Sequence, residues 1–388
     1  MSRPAGERPS LPSLFLSLLR LGLTAFGGPA MVAYIREMAV RRKRWLDEGS
    51  FQDGVALCQT IPGATAMQTA AYVGLKARGL PGAALSFVGF GLPAFIFMMA
   101  LSALYARAHQ LPVVLSAFSG LQAVIVAIVA NATLAFGRTS LRDVRSAAIA
   151  AAAAGMFGLG VSPFLVILVA ALLGFWVLKK RPVAAVIAGP AWRPYRPGTF
   201  VWLILLLAAG FAALFFLARP LFALAALMLR VDLFAFGGGF ASVPLMFHEV
   251  VKVHAWLDGP TFMNGIVLGQ ITPGPIVITG TFVGYLLAGP VGGIVATASV
   301  FLPSFLILVG VAPFYDRLRA SALFGQAIRG VLCSFVGLLL SVTARFALNV
   351  PWDPVRIVLA VAAFAALRLK VNILWVVLAG TAVSIVLF

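Results

Sequence analysis

LCQTIPGATAMQ, residues 57–68, and LGQITPGPIVIT, residues 268–279, share a Gln-x-x-Pro-Gly core inside a chain that is otherwise mostly apolar. Proline removes a backbone donor and disfavours helix in the residue before it, and glycine permits turns. Lipid cannot hydrogen-bond a freed N–H or C=O, so such backbone survives at membrane depth only inside protein or beside a water-filled cavity. The two stretches therefore predict broken or re-entrant helices that face the interior of a membrane protein.

The surrounding composition supports that reading. Of 388 residues, 62% are hydrophobic and 10% are charged, against about 25% charged in soluble domains. Runs at 147–178, 199–218 and 355–388 supply the roughly 20 apolar residues that a spanning helix needs. The expected class is an all-α polytopic membrane protein of about 10–13 membrane segments, not a β-barrel of alternating ten-residue strands. The polar start, MSRPAGERPS, precedes further spans with no small-residue cleavage pattern, so it reads as a tail at 1–10. Cys58 and Cys333 both lie in apolar segments, which argues against a disulfide or a metal cluster. The net charge of +18 sits in short loops, where it reports topology and not nucleic acid.

Sliding the second half back by 210 residues brings the two halves into register. LTAFGGP (23–29) falls on LFAFGGG (233–239), Arg20 on Arg230, LPAF (92–95) on LPSF (302–305), and Asp143 on Asp353. With one inserted residue, WLD (45–47) meets WLD (256–258), and Gln59, Pro62 and Gly63 meet Gln270, Pro273 and Gly274. The chain reads as a duplication, with repeats at 11–182 and 219–388. Between them lies 183–218, a basic cytoplasmic loop followed by one extra span. An odd span between repeats that each cross an even number of times turns the second upside down. If the loop around Arg41–Arg44 is cytoplasmic and the Pro-Gly segment returns to the side it entered, nineteen lysines and arginines fall on the cytoplasmic side and five opposite. Equivalent loops also exchange their charge, RRKR against Lys252/His254 and GLGV (158–161) against RLKV (368–371). The expectation is two inverted-topology repeats.

Each repeat carries a second break, at Phe26–Pro29 and Phe236–Gly239. Half-helices that end inside a membrane expose unpaired N–H groups and the positive end of the helix dipole, which bind anions. Paired discontinuous helices in inverted repeats are a recurring transporter design. Candidate substrate-binding residues are Gly27, Gly28, Gln59, Pro62, Gly63, Gly237, Gly238, Gln270, Pro273 and Gly274. Arg20 and Arg230 are added as bidentate oxyanion partners, with snorkelling at an interface as the alternative. Thr24, Thr60, Thr65, Gln68, Thr69, Thr272 and Thr279 rank behind Gln59 and Gln270, because hydroxyls commonly back-bond within their own helix. Glu37, Asp53, Asp232 and Glu249 are candidates for carrying a coupling ion, although a loop carboxylate is usually just solvated; Asp232 is also placed to neutralise Arg230. His109, His248 and His254 are scattered singly. No HExxH, P-loop, Gly-x-Ser-x-Gly or Cys/His metal spacing is present, so no catalytic residue, metal or cofactor is expected.

At this point FGGPAMVAYIREMAVRRKRWLDEGSF with LCQTIPGATAMQTAAYVG, and again FGGGFASVPLMFHEVVKVHAWLDGPTF with LGQITPGPIVITGTFVG, resemble the signature regions of the chromate ion transporter family. The match covers nearly the whole chain and resembles the long, two-domain type. The resemblance implies export of chromate, a tetrahedral dianion similar to sulfate, across a bacterial inner membrane, driven by the membrane potential. The family pattern falls on Phe26, Gly27, Gly28, Pro29, Trp45, Gln59, Pro62 and Gly63, and on Phe236, Gly237, Gly238, Trp256, Gln270, Pro273, Gly274 and Pro275. Two departures stand out: Pro-Gly-Ala at 62–64 where Pro-Gly-Pro is usual, and FGGG at 236–239 where FGGP is usual. Partners expected are a small oxyanion and the lipid bilayer, with no nucleic acid and a homodimer as a candidate assembly. The rivals are a carrier of sulfate or another small anion, and an enzymatic or non-transporting membrane protein.

Overall fold

The computed structural model describes residues 9–26, 30–178 and 197–388. Gly27, Gly28, Pro29, the tail 1–8 and the basic loop 179–196 lie outside the described residues. Among the described residues all regular elements are helical, joined at one point by an isolated β-bridge. Five helical stretches are long and apolar enough to cross a membrane: Thr65–Ala108, Pro112–Ser140, Phe200–Leu217, Ile276–Ala320 and Ala322–Asn349. Shorter apolar helices include Val144–Gly158 and Pro163–Val177. At 15 residues each they extend about 22 Å, less than the roughly 30 Å of a hydrocarbon core.

The duplication repeats itself in local geometry. Asp47 caps α3 (Glu48–Thr60) by accepting from the Ser50 N–H, and Asp258 caps α11 (Gly259–Ile271) by accepting from the Thr261 N–H. Asp143 caps α6 (Val144–Gly158) and Asp353 caps α15 (Pro354–Arg368) in the same way. Short π-helices at Glu37–Arg42 and His248–Val253 are each followed by a residue with positive φ, Arg44 at 53° and Ala255 at 49°.

The chain folds into two compact units, each drawing on both halves: residues 1–97, 183–239 and 273–321 form one, and 98–182, 240–272 and 322–388 the other. In the second unit, α14 (Ala322–Asn349) packs on α5 (Pro112–Ser140), α6 and α7 (Pro163–Val177), while α5 also packs on α15 and α16 (Ile373–Leu387). Glycines allow the closest approaches. A Cβ on Gly330 would lie 2.1 Å from the Ala170 carbonyl, and one on Gly174 would lie 2.8 Å from the Gly330 Cα. The equivalent contact joins Gly120, whose N–H donates to Ser384 Oγ at 2.8 Å. Thr133 and Thr343, 210 residues apart, touch each other through their hydroxyls at 3.2 Å. That is what a two-fold axis between α5 and α14 requires.

In the first unit, α9 (Arg219–Phe234) packs on α12 (Thr279–Val311) and against α8 (Pro197–Leu217). Two of the long helices are in fact hairpins. In α4 (Thr65–Ala108) the helix is interrupted at Arg78 and Gly79, the glycine at φ 67°, and a Cβ on Gly82 would lie 2.3 Å from the Gly74 carbonyl oxygen. Eight residues of straight helix would separate them by about 12 Å, so the chain reverses. Ala288 and Gly289 interrupt α12 in the same way, with Gly284 against Gly292. The Pro-Gly break is a second reversal: Gly54 on α3 lies against the Tyr72 ring, equally far along the chain on the other side of Gly63. The segment 48–77 therefore doubles back on itself, the geometry that the count of charges presupposes.

Candidate anion site at crossed helix breaks

α1 (Leu11–Thr24) ends at Ala25 and α9 at Ala235, where ψ leaves the helical range for 94° and 70°. α3 ends at Ile61, before Pro62. Gly63 and Gly274 then take φ of 118° and 121°, a region closed to most side chains. The freed backbone groups do not pair within their own repeat. The Gly63 N–H donates to the Ala235 carbonyl at 2.9 Å, and the Gly274 N–H donates to the Ala25 carbonyl at 3.0 Å. Pro62 and Phe236 form the antiparallel bridge beside the first of these bonds. Each Pro-Gly break is thus tied to the Phe-Gly-Gly break of the other repeat. The crossing satisfies polar groups that burial would otherwise leave bare.

The same crossing explains LPAF and LPSF. A Cβ on Gly63 would fall 2.3 Å from Ser304 Oγ, and one on Gly274 would fall 2.6 Å from Ala94 Cβ; Ala94 and Ser304 are the matched third residues of those motifs. Ser304 does more than pack. Its Oγ accepts from the Ala64 N–H at 2.8 Å and donates to Asp232 Oδ2 at 2.6 Å, and its own backbone N–H donates to the same oxygen at 2.8 Å. Gln68, fully buried, donates its amide to the Pro62 carbonyl at 2.6 Å and the Ser304 carbonyl at 3.3 Å. Ser304 was not anticipated from the sequence. Its signal lay in LPSF differing from LPAF by a hydroxyl on the repeat that also carries Asp232.

The break between Pro62 and Ala64 ends at the N-terminus of α4. The first-turn N–H groups of a helix have no partner within it and carry partial positive charge. The glycine loop that follows α9 lies against this end, with Gly237 at φ 90° and Gly238 at φ 100°. A Cβ on Gly238 would sit 3.3 Å from Thr65 Oγ1. Backbone dipoles, the half-buried Thr65 hydroxyl and bare glycine converge in one spot, an arrangement suited to a small anion.

The other predicted residues are placed as follows. Pro62, Gly63, Pro273 and Gly274 are buried at the crossing, whereas Gln59 is exposed on α3. Gln270 ends α11 half-buried, its amide nitrogen buried without a hydrogen-bond partner. Arg20 and Arg230 are exposed on α1 and α9. Asp232 is bound by Ser304, and not by the neighbouring-arginine pairing the sequence suggested. Glu37 lies within 3.7 Å of Arg41 and 3.5 Å of Arg42, and Asp53 pairs with Arg319 at 3.2 Å, all partly exposed. Glu249 is buried, 4.0 Å from His254 Nδ1.

The family model described as "Chromate transporter" matches this chain twice, over residues 12–175 and 222–385, an offset of 210 residues that superposes the two Phe-Gly-Gly motifs and brings the two Pro-Gly breaks within one residue of each other. The chain belongs to the chromate transporter family. It is a multi-pass membrane protein built from two copies of one unit. It is 43% identical to an uncharacterized transporter of Methanocaldococcus jannaschii, covering 96% of this chain and 93% of that one. It is 30% identical to a chromate transport protein of Cupriavidus metallidurans, over 84% of this chain and 80% of the relative, and to one of Pseudomonas aeruginosa, over 87% and 81%. No solved structure matches it.

Proposed function

We propose that this family member carries chromate out of the cell across the bacterial inner membrane, as a secondary transporter that confers chromate resistance. The observation that carries the reading is the crossed pairing of Gly63 with Ala235 and Gly274 with Ala25, which sets discontinuous helices around a buried end of α4. Transporters of inverted-repeat build hold substrates at such ends. Chromate offers four oxygens to N–H donors, and a dianion gains most from the dipole. Gly63, Gly238 and Gly274 let backbone approach closely, and Arg20 or Arg230 would attract the anion from the surface. The return of segment 48–77 to its side of entry and the odd span α8 support inverted repeats. The comparisons support a transporter rather than an enzyme.

The test is flux into proteoliposomes and accumulation in cells. Cells that make the protein should accumulate less labelled chromate than an empty-vector control and survive higher doses; equal accumulation and equal tolerance would reject chromate export. The 43% identity is to a transporter whose name gives no substrate, and the 30% identities are to chromate transport proteins, so a second substrate is tested beside chromate. Sulfate or another small anion on the same scaffold would show as strong competition with chromate flux.

A further inference from the structure

Asp232 is fully buried on α9, and its two carboxylate oxygens have opposite surroundings. Oδ2 accepts two hydrogen bonds from Ser304, from N–H at 2.8 Å and from Oγ–H at 2.6 Å. Oδ1 is buried with no hydrogen-bond partner. Gln68 Oε1, on a side chain that donates to the carbonyl of the same Ser304, is likewise buried and unpartnered. An interior that holds two bare acceptors lacks a donor, and a proton supplies one.

We propose that Asp232 carries a proton on Oδ1 that travels with the anion. The inference rests on the reading of the crossed breaks as the anion site. Its physical core is the short relay from that site: the Ala64 N–H donates to Ser304 Oγ, which donates to Asp232. An ionised carboxylate two hydrogen bonds from the break repels a dianion, whereas a neutral carboxyl does not. Proton and anion are therefore taken up together from one side and released together on the other, the proton leaving Oδ1 for water.

Little else competes for that role around Asp232. α12 has Tyr285 as its single titratable side chain, α8 has none, and residues 61–68 have none; α9 itself adds Arg219 and Arg230. The matched position in the first repeat is Gly22, so one repeat supplies the proton carrier and the other does not.

The experiment uses the full chain in proteoliposomes with chromate as probe, a trapped pH dye, and infrared difference spectra of the same protein. The wild type should move protons in the direction of chromate and show a carboxylic acid band that grows as pH falls. Asp232→Asn should lose the band and the proton movement while chromate exchange between equal pools persists. Should Asp232→Asn fail to fold, Ser304→Ala decides: the carboxyl stays but loses its hydroxyl donor, so the pH midpoint of the band should move. Chromate flux without proton flux, proton flux unchanged in Asp232→Asn, dependence on sodium instead of pH, or a midpoint untouched by Ser304→Ala would each overturn the proposal. A titrating band without any chromate flux would reject the substrate reading and leave the proton site standing.

Discussion

At the scale of single residues, Gly63 bears the tightest constraint. Its φ of 118° and the 2.3 Å approach to Ser304 Oγ leave no place for a Cβ. Gly63→Ala should cost about 1–3 kcal/mol in backbone strain alone, and more once Ser304 is displaced. The expected outcome is protein that still reaches the membrane with a lower melting temperature and chromate flux reduced at least tenfold; wild-type flux would reject the crossing as the working part. Gly274→Ala should behave alike, since Ala94 stands where Ser304 does. Ser304→Ala removes both a donor to Asp232 and an acceptor for Ala64, and leaving buried polar groups unsatisfied costs about 1–3 kcal/mol. Thermal unfolding in detergent reads this directly. Much of this was legible as pattern: paired Pro-Gly and Phe-Gly-Gly motifs mark breaks because proline and glycine act on their own backbone. The partner of each break was not legible. Hydrogen bonds between residues 172 or 249 positions apart leave no local trace, and the sequence placed weight on Gln59 where Gln68 makes the contact.

At the scale of helices, the interface of α7 with α14 depends on Gly174 and Gly330, whose backbones touch. Gly330→Val should force these helices apart and destabilise by about 1–3 kcal/mol or more. A fall in melting temperature without any change in the pH dependence of flux would fit; an unaltered melting temperature would not. The caps add a pH term outside the membrane. The Ser50 backbone N–H holds the Asp47 carboxyl below its ordinary range, against a smaller opposing effect of burial. A depressed carboxyl contributes stability above its unfolded pKa and loses it as pH falls through the folded value. The start of α3 should therefore loosen only below about pH 4, visible as a shift in Trp45 fluorescence that Asp47→Ser would abolish. Helix existence followed from apolar runs, while the capping role of the matched aspartates appeared only in the structure. The hairpin inside α4 turns where the charge count needs a loop carrying Lys76 and Arg78; that inside α12 was not legible, because a reversal at one uncharged glycine hardly alters composition, and only the Gly284–Gly292 contact reveals it.

At the scale of the whole molecule, segment 48–77 doubles back on itself, which predicts that both its ends lie on one side of the membrane. Single cysteines at Arg44 and Arg78, in a version lacking Cys58 and Cys333, should both react with a membrane-impermeant thiol reagent from the cytoplasmic face. Labelling from opposite faces would remove the re-entrant reading. Energetics make a further demand. One charge crossing 100 mV gains about 2.3 kcal/mol, so a bare dianion leaving an inside-negative cell gains about 4.6 kcal/mol. With a proton aboard, the electrical gain halves, and each unit of pH adds or removes about 1.4 kcal/mol. Asp232→Asn, unable to load a proton, should steepen the voltage dependence of efflux towards two charges per chromate in potential-clamped vesicles.

The reciprocal bonds between the repeats bear on how the gene came to be written twice. A polypeptide holding only residues 11–182 has the Ala25 carbonyl but no Gly274, and the Gly63 N–H but no Ala235. Alone it would strand both groups in oil. It would become soluble in lipid only by finding an upside-down sibling, so separately expressed halves should be degraded singly and rescued by co-expression. Fusion through α8 makes that encounter obligatory, and a shared chain lets the two copies differ at matched positions, glycine at 22 and aspartate at 232.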